Sequence, residues 1–180
     1  LQRTGWGVVE TRGSALRFVA CGLIRAGAGE DVPTRLARID RDLAAVIEAW
    51  KPDGAAVEQI FVNANPASAM KLGLARGVAL CVPARMGLAV AEYPANTVKK
   101  SVTGAGHAAK DQIGAMVRML LPGCGVSGAD EADALAIAIT HAHHMPNMLA
   151  TPSPLPHARL SLSPDRGEGL KGEGKKGTGS

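Results

Sequence analysis

The sequence predicts one α/β domain in which helices pack against a sheet. Two strand-like segments come first, and helical and strand-like segments then alternate. Hydrophobic residues make up 46% of the 180 positions, which is typical of a globular protein with a core of its own. Aromatic residues make up only 3%, so that core must be built from aliphatic side chains.

The first half predicts a β-hairpin, a helix and a buried strand. Residues 5–10 and 15–24 are strand-like and flank a short turn. From Val32 the apolar residues recur at helical spacing instead. They are Leu36, Ile39, Leu43, Val46, Ile47 and Trp50. A breaker segment at 51–54 ends this helix and begins a buried strand that ends at Glu58.

The second half continues the alternation. Asn65 and Pro66 are typical of a helix start, and four residues at helical spacing predict the apolar stripe of that helix. They are Met70, Leu74, Val78 and Cys81. A short strand at 89–93 is followed by a basic turn or short helix and by an amphipathic helix around 113–121. The last helix is predicted from about Asp130 to His144.

Composition limits the domain and its surroundings. From Thr151 onward Pro, Gly, Ser and Lys dominate, so we predict a domain over 1–148 and a disordered tail over 149–180. The net charge of +4 falls to +2 when the five basic and three acidic residues of 151–180 are set aside. Bulk charge is therefore a weak sign of nucleic-acid binding.

The sequence also predicts a cytoplasmic protein without a membrane segment. It contains no unbroken apolar run of membrane-spanning length and no signal peptide. The three cysteines are scattered, which argues against a disulfide framework or a zinc site and favours a reducing compartment.

Three carboxylates lie against apolar sequence. Glu58 ends an apolar run, and Asp130 and Asp133 open the last helix on one face. Burying acids is costly unless a cation neutralises them. We therefore expect the three to converge on hard divalent metals, which catalyse phosphoryl transfer. The ordinary alternatives are helix capping for the aspartates and a solvent-facing strand end for Glu58.

Basic residues on helices and turns are candidate phosphate contacts. They are Lys71, Arg76, Lys99, Lys100 and Lys110. Lys99 and Lys100 are the better candidates, because a glycine-rich turn follows them and its backbone N–H groups can also meet phosphate. The alternative for each is a solvated helix face. Phe61 is either a base-stacking wedge or packs under its loop.

Several segments resemble the bacterial crossover junction endodeoxyribonuclease (RuvC) family. The matching segments are Val57-Glu58-Gln59-Ile60-Phe61, Lys71-Leu72-Gly73-Leu74-Ala75-Arg76-Gly77, Val98 to Gly104 with Lys110, and Asp130 to His141. They occur in the family's order with compatible spacing, and the resemblance covers about residues 1–148.

The resemblance implies a ribonuclease H-like mixed sheet flanked by helices. It implies a homodimer that nicks four-way (Holliday) DNA junctions in recombination and repair, together with the RuvA–RuvB branch-migration complex. Its site would be four carboxylates, Glu58, Asp130 and Asp133 among them, holding two Mg²⁺ ions per subunit, with Mn²⁺ as a substitute. Lys99 and Lys110 would steady the scissile strand, and Phe61 would wedge into the junction centre.

The fourth carboxylate belongs to a Gly-Ile-Asp-Pro-Gly type motif that ends the family's first strand. Residues 1–7 resemble the segment directly after that motif, so the resemblance implies that the first, central strand is missing from this chain and that its nuclease activity is impaired. Two alternatives stay open. One is a catalytically dead remnant that binds junctions or other nucleic acids. The other is an actin-like or small-molecule α/β protein, although no nucleotide-phosphate loop is visible.

Overall fold

The structure is a computed structural model that describes residues 2–27, 29–59, 66–106, 109–145 and 157–164. Within these ranges the chain forms five strands and five helices. In chain order they are β1 (Arg3–Arg12), β2 (Ala15–Arg25), α1 (Val32–Trp50), β3 (Gly54–Gln59), α2 (Pro66–Arg85), β4 (Ala89–Pro94), α3 (Ala95–Thr103), α4 (Lys110–Leu120), α5 (Ala129–His144) and β5 (His157–Pro164). None of the helices in the described ranges has the length and apolarity that a membrane span requires.

The strands form one mixed sheet in the order β2-β1-β5-β3-β4. β1 is antiparallel to β2 and to β5, whereas β3 is parallel to β5 and to β4. The carboxyl ends of β3, β4 and β5 and the amino end of β1 therefore lie at the same edge of the sheet. We call this edge the carboxyl edge.

The middle strand comes from a segment that the sequence predicted to be disordered. β5 is hydrogen-bonded to β1 on one side and to β3 on the other, and Leu160 and Leu162 are fully buried. Serine and leucine alternate along β5, as a strand with two different faces requires. The prediction of a disordered tail over 149–180 is therefore wrong for 157–164. The central position that was predicted to be missing is filled by β5.

Helices cover both faces of the sheet. α1 and α2 pack on one face, over a core that includes Val57 and Leu162. α3, α4 and α5 pack on the other face, over a core that includes Ala56 and Ile137. Because Ala56 and Val57 face opposite cores, the two-residue period of the strand directs Glu58 toward the face that α5 covers.

Most predicted elements are confirmed. α1 spans Val32–Trp50. It begins there because the Asp31 carboxylate accepts a hydrogen bond from the backbone N–H of Thr34 and caps the first turn. The basic segment is a helix, α3, which ends where Gly104 adopts a left-handed conformation. The last predicted helix is α5, Ala129–His144.

The helix α2 does begin at Pro66, but of its predicted apolar stripe only Val78 packs against the core. Cys81 is exposed. Met70 and Leu74 are exposed. The buried face is instead built by Ala75, Ala79 and Val82, whose small side chains bring α2 close to the sheet. Asn65, predicted to cap this helix, lies outside the described residues.

Small residues also let α5 lie directly on the sheet. On β1, a Cβ added at Gly5 would stand 2.6 Å from the carbonyl carbon of Asp130 and closer still to its oxygen. On β5, the Ser161 hydroxyl donates a hydrogen bond to the backbone carbonyl of Ala134. The contacts fix the first turn of α5, and with it Asp130 and Asp133, against the carboxyl edge.

The close approach of α5 predicts a large effect for Gly5→Ala. We expect the free energy of unfolding to fall by about 1–3 kcal/mol, because the atoms that the new methyl group meets are backbone and cannot rotate away. Gly114→Ala, within α4, is the matched control. A Cβ at Gly114 meets only the tip of the Arg118 side chain, at an ordinary contact distance of 3.7 Å, and alanine favours helix over glycine by about 1 kcal/mol. Urea denaturation of both variants checks this, and an equal loss in both would contradict it.

Candidate active site

Glu58 stands at the carboxyl edge, near the end of β3, beside Tyr93 of β4. It is only 6% exposed. A carboxylate this deeply buried loses most of its hydration, so it requires compensating charges or donors close by. The strand that carries it is buried from Gly54 onward, which is why the backbone cannot turn the acid out to solvent.

A pocket at the carboxyl edge joins Glu58 to Asp133. Asp133 belongs to the first turns of α5, and the half-buried Lys99 belongs to α3. The pocket is lined by Glu58, Ala95, Val98, Lys99, Ile113, Asp133, Ala136 and Ile137. Its charged lining residues are thus two acids and one base, set in an otherwise apolar recess where charges interact strongly.

Asp130, the third predicted acid, is engaged elsewhere. Its Oδ2 lies 3.1 Å from Nε of Arg3, at the amino end of β1, and the Asp130 side chain is 20% exposed. Within the described ranges, no group of three or more His, Cys, Asp or Glu side chains is arranged to hold a metal ion. The structure therefore brings two of the three predicted acids into one pocket and pairs the third with an arginine.

Glu131 holds the start of α5 and is absent from the predicted site residues. The Glu131 carboxylate accepts hydrogen bonds from the backbone N–H groups of Gly128, at 3.0 Å, and Ser127, at 3.2 Å. Both bonds satisfy backbone donors just ahead of the helix, which holds the helix terminus in place.

The predicted DNA contacts fall in different places. Lys99 lines the pocket, Lys100 is exposed one residue further along α3, and Lys71 is exposed on α2. Arg76 forms an ion pair with Glu92 of β4, so its guanidinium group is already engaged within the protein. Phe61 and the side chain of Lys110 lie outside the described residues, so both stay predictions.

Sequence reasoning also missed Arg3. It lies just before the strand predicted over 5–10, with no spacing that related it to the last helix. The antiparallel pairing of β1 with β5 and the contact of Gly5 with α5 bring it to Asp130. The proximity of Arg3 to Asp130 can therefore be recognised only from the folded structure.

Comparison with solved structures defines the class of fold first. Two structures of RuvC from Thermus thermophilus match this chain, and each match covers 78% of this chain and 87% of the other. One has a TM-score of 0.69 and 33% identity. The other, a complex with a Holliday junction substrate, has a TM-score of 0.70 and 34% identity. The chain therefore has the ribonuclease H-like fold of these nucleases.

Sequence comparison then gives the family. The model of the crossover junction endodeoxyribonuclease RuvC family matches residues 1–141. The relative from Paramagnetospirillum magneticum is 55% identical over 144 residues, which cover 80% of this chain and 87% of the relative. The relative from Acidiphilium cryptum is 52% identical over 158 residues, with coverages of 88% and 92%. The chain belongs to the RuvC family of crossover junction endodeoxyribonucleases, as its motifs indicated.

Proposed function

We propose that this chain is a divalent-metal-dependent endonuclease that resolves four-way DNA junctions by paired, symmetric nicks. The observation that carries the proposal is the pocket shared by Glu58, Asp133 and Lys99 at the carboxyl edge. Its relatives are named for crossover junction cleavage, and one matching structure holds a Holliday junction substrate. Family membership replaces the actin-like or small-molecule alternative.

Glu58 and Asp133 fit a divalent cation, because carboxylate oxygens are hard ligands and both side chains line one open recess. Mg²⁺ or Mn²⁺ held there would supply activation of a water and stabilisation of the leaving oxygen. Asp130 would join them as a third ligand when released from Arg3. Two ions per subunit remain part of the proposal.

The other groups of the pocket act on the DNA strand. Lys99 offsets the repulsion between a phosphate and the two acids in the recess, so that the scissile strand can approach. The exposed Lys100 and Lys71 would hold neighbouring phosphates. Phe61 would wedge between bases at the junction centre, and Lys110 would contact the scissile strand.

The proposed assembly is a homodimer, because two opposed strands must be cut. Helix α2 offers a face for it. Met70 is 71% exposed and Leu74 is 42% exposed, and Gly73 and Gly77 on the same helix have open space beside them. An apolar, small-residue face of this kind permits close helix packing between subunits. We also propose the RuvA–RuvB complex as a partner and the cytoplasm as the location.

A junction assay tests the proposed function. We expect the chain to bind a labelled four-way junction at least about tenfold more tightly than a duplex of the same sequence, since distributed phosphates are read by shape. Paired nicks should appear with Mg²⁺ or Mn²⁺ and vanish with EDTA, while junction binding persists. Equal binding and cutting of duplex and junction would contradict the proposal.

The second candidate is a junction-binding protein that does not cut. The observation that favours it is the Arg3–Asp130 ion pair, which keeps the third acid out of the pocket. In the same assay it gives selective junction binding and no nicks at any Mg²⁺ or Mn²⁺ concentration.

A further inference from the structure

Arg3 stands at the carboxyl edge, at the amino end of β1, and its side chain faces α5. The side chains of a strand alternate between the two faces of the sheet. Gly5 and Gly7 are the positions of β1 at which an added Cβ would meet α5, and Arg3 belongs to the same face. The strand therefore directs the guanidinium group of Arg3 to the first turn of α5, where its Nε lies 3.1 Å from Oδ2 of Asp130.

This ion pair competes with the use of Asp130 as a cation ligand. Asp130 and Asp133 open the same helix, but the residues that line the pocket include Asp133 and not Asp130. A guanidinium group at this distance occupies the carboxylate and also repels any cation that approaches it. While the pair is closed, the pocket therefore offers the carboxylates of Glu58 and Asp133 alone.

The ion pair lies within reach of a competing anion. The Arg3 side chain is 50% exposed, and exposed ion pairs contribute little stability. Arg3 also stands directly opposite Arg25 of β2 in the register of the hairpin, and both arginines are exposed. Like charges directly opposite each other on one face repel. A phosphate bound by the two guanidinium groups relieves that repulsion and accepts strong, charge-assisted hydrogen bonds from them.

We propose that Arg3 is a positioning residue that keeps Asp130 from the cation while no DNA is bound, and that a phosphate of the DNA takes over the guanidinium group and releases Asp130. The proposal rests on the proposed function, because it concerns the cation of the same pocket. The exchange couples the two ligands, so that DNA strengthens cation binding and the cation strengthens DNA binding by the same factor. The protein thus binds its cation fully only when it holds DNA.

Binding of Mn²⁺ in the absence of DNA tests the first half of the exchange. The Kd for Mn²⁺ is measured by calorimetry on the full chain for wild type, Arg3→Gln, Arg3→Lys and Arg25→Gln. We expect Arg3→Gln to lower this Kd at least about fivefold, because it removes a positive charge a few ångströms from the Asp130 carboxylate. Arg3→Lys keeps the charge, and Arg25→Gln removes the same charge from the neighbouring strand. Both should leave the Kd within about twofold of wild type.

Binding of a labelled four-way junction in EDTA tests the second half. We expect Arg3→Gln and Arg25→Gln each to weaken junction binding and to reduce the slope of log Kd against log salt concentration by about 1, as the loss of one phosphate contact does. Arg41→Gln is the control, because Arg41 is exposed on α1, which packs on the opposite face of the sheet. It should leave the slope unchanged.

An unchanged or higher Kd for Mn²⁺ in Arg3→Gln overturns the proposal, and so does an equal gain of affinity in Arg3→Lys or Arg25→Gln. An unchanged salt slope in Arg3→Gln overturns it as well. None of these measurements depends on cleavage. A chain that binds junctions without nicking them, yet shows both effects of Arg3→Gln, keeps the exchange and loses the nuclease. A chain that nicks junctions while Arg3→Gln changes neither quantity keeps the nuclease and loses the exchange.

Discussion

Deleting residues 157–180 is expected to abolish cooperative folding. β5 is the middle strand of the sheet, so its removal leaves β1 and β3 without their shared partner. Leu160 and Leu162 are fully buried, and truncating one such leucine costs about 2–5 kcal/mol. Losing both leucines, about 4–10 kcal/mol together, and the backbone pairing as well removes an amount comparable to a typical total stability of about 5–15 kcal/mol. Circular dichroism melts and gel filtration check the result.

The matched control is deletion of 165–180, which keeps β5 and should melt within about 2 °C of the full chain. The single substitution Leu162→Ala should lower the free energy of unfolding by about 2–5 kcal/mol in urea. A chain lacking 157–180 that still melts cooperatively at the temperature of the full chain would contradict the place of β5 in the sheet.

Glu58→Gln is expected to slow junction cleavage by about 100-fold or more while leaving junction binding intact. The substitution keeps the shape of the side chain and removes its negative charge. Asp133 is then the one carboxylate left among the residues that line the pocket. Removing one group that stabilises developing charge costs about 10²–10³ in rate. Single-turnover cleavage at saturating Mg²⁺ and a gel-shift Kd give the two readouts.

Glu48→Gln serves as the control for this prediction. Glu48 is exposed on α1, which packs on the opposite face of the sheet, and it undergoes the same loss of charge. Weakened junction binding with an unchanged cleavage rate at saturation would contradict the catalytic role of Glu58.

Periodicity predicted the elements whose large apolar residues face the core. In α1 the buried residues are Ile39, Leu43 and Ile47, which are also the residues that mark the helix in the sequence. In α2 the large apolar residues are not the buried ones, because alanines line the core and Met70 points outward. A pattern that gives weight to large side chains cannot recognise a helix that approaches the sheet through small ones.

Composition misled the prediction at β5. The segment alternates serine and leucine over only a few residues, within a Pro/Gly/Ser-rich stretch that reads as disordered. Its order comes from two flanking strands that lie far away in sequence. Such pairing supplies hydrogen bonds and burial that no local window contains.

The sequence also could not show which acids are buried and which of those are neutralised. Glu58 was predicted from its place at a strand end, but Glu10, which is 2% exposed, gave no signal. Burial alone would raise the pKa of Glu10, but hydrogen bonds from Arg12 and Arg17 outweigh it and hold that pKa below its ordinary value. Sequence reveals that an acid lies among apolar residues, whereas the structure reveals whether arginines already neutralise it.

The position of β5 also affects how the protein is made. The first hairpin leaves the ribosome well before β5, and Gly5 cannot meet Ser163, its partner in the sheet, until the residues between them have been synthesised. At about 5–20 residues per second the wait is roughly ten seconds or more. During that time one side of β1 and of β3 can pair with another nascent chain, so yield in cells should depend on expression rate and on chaperones more than the finished fold would indicate.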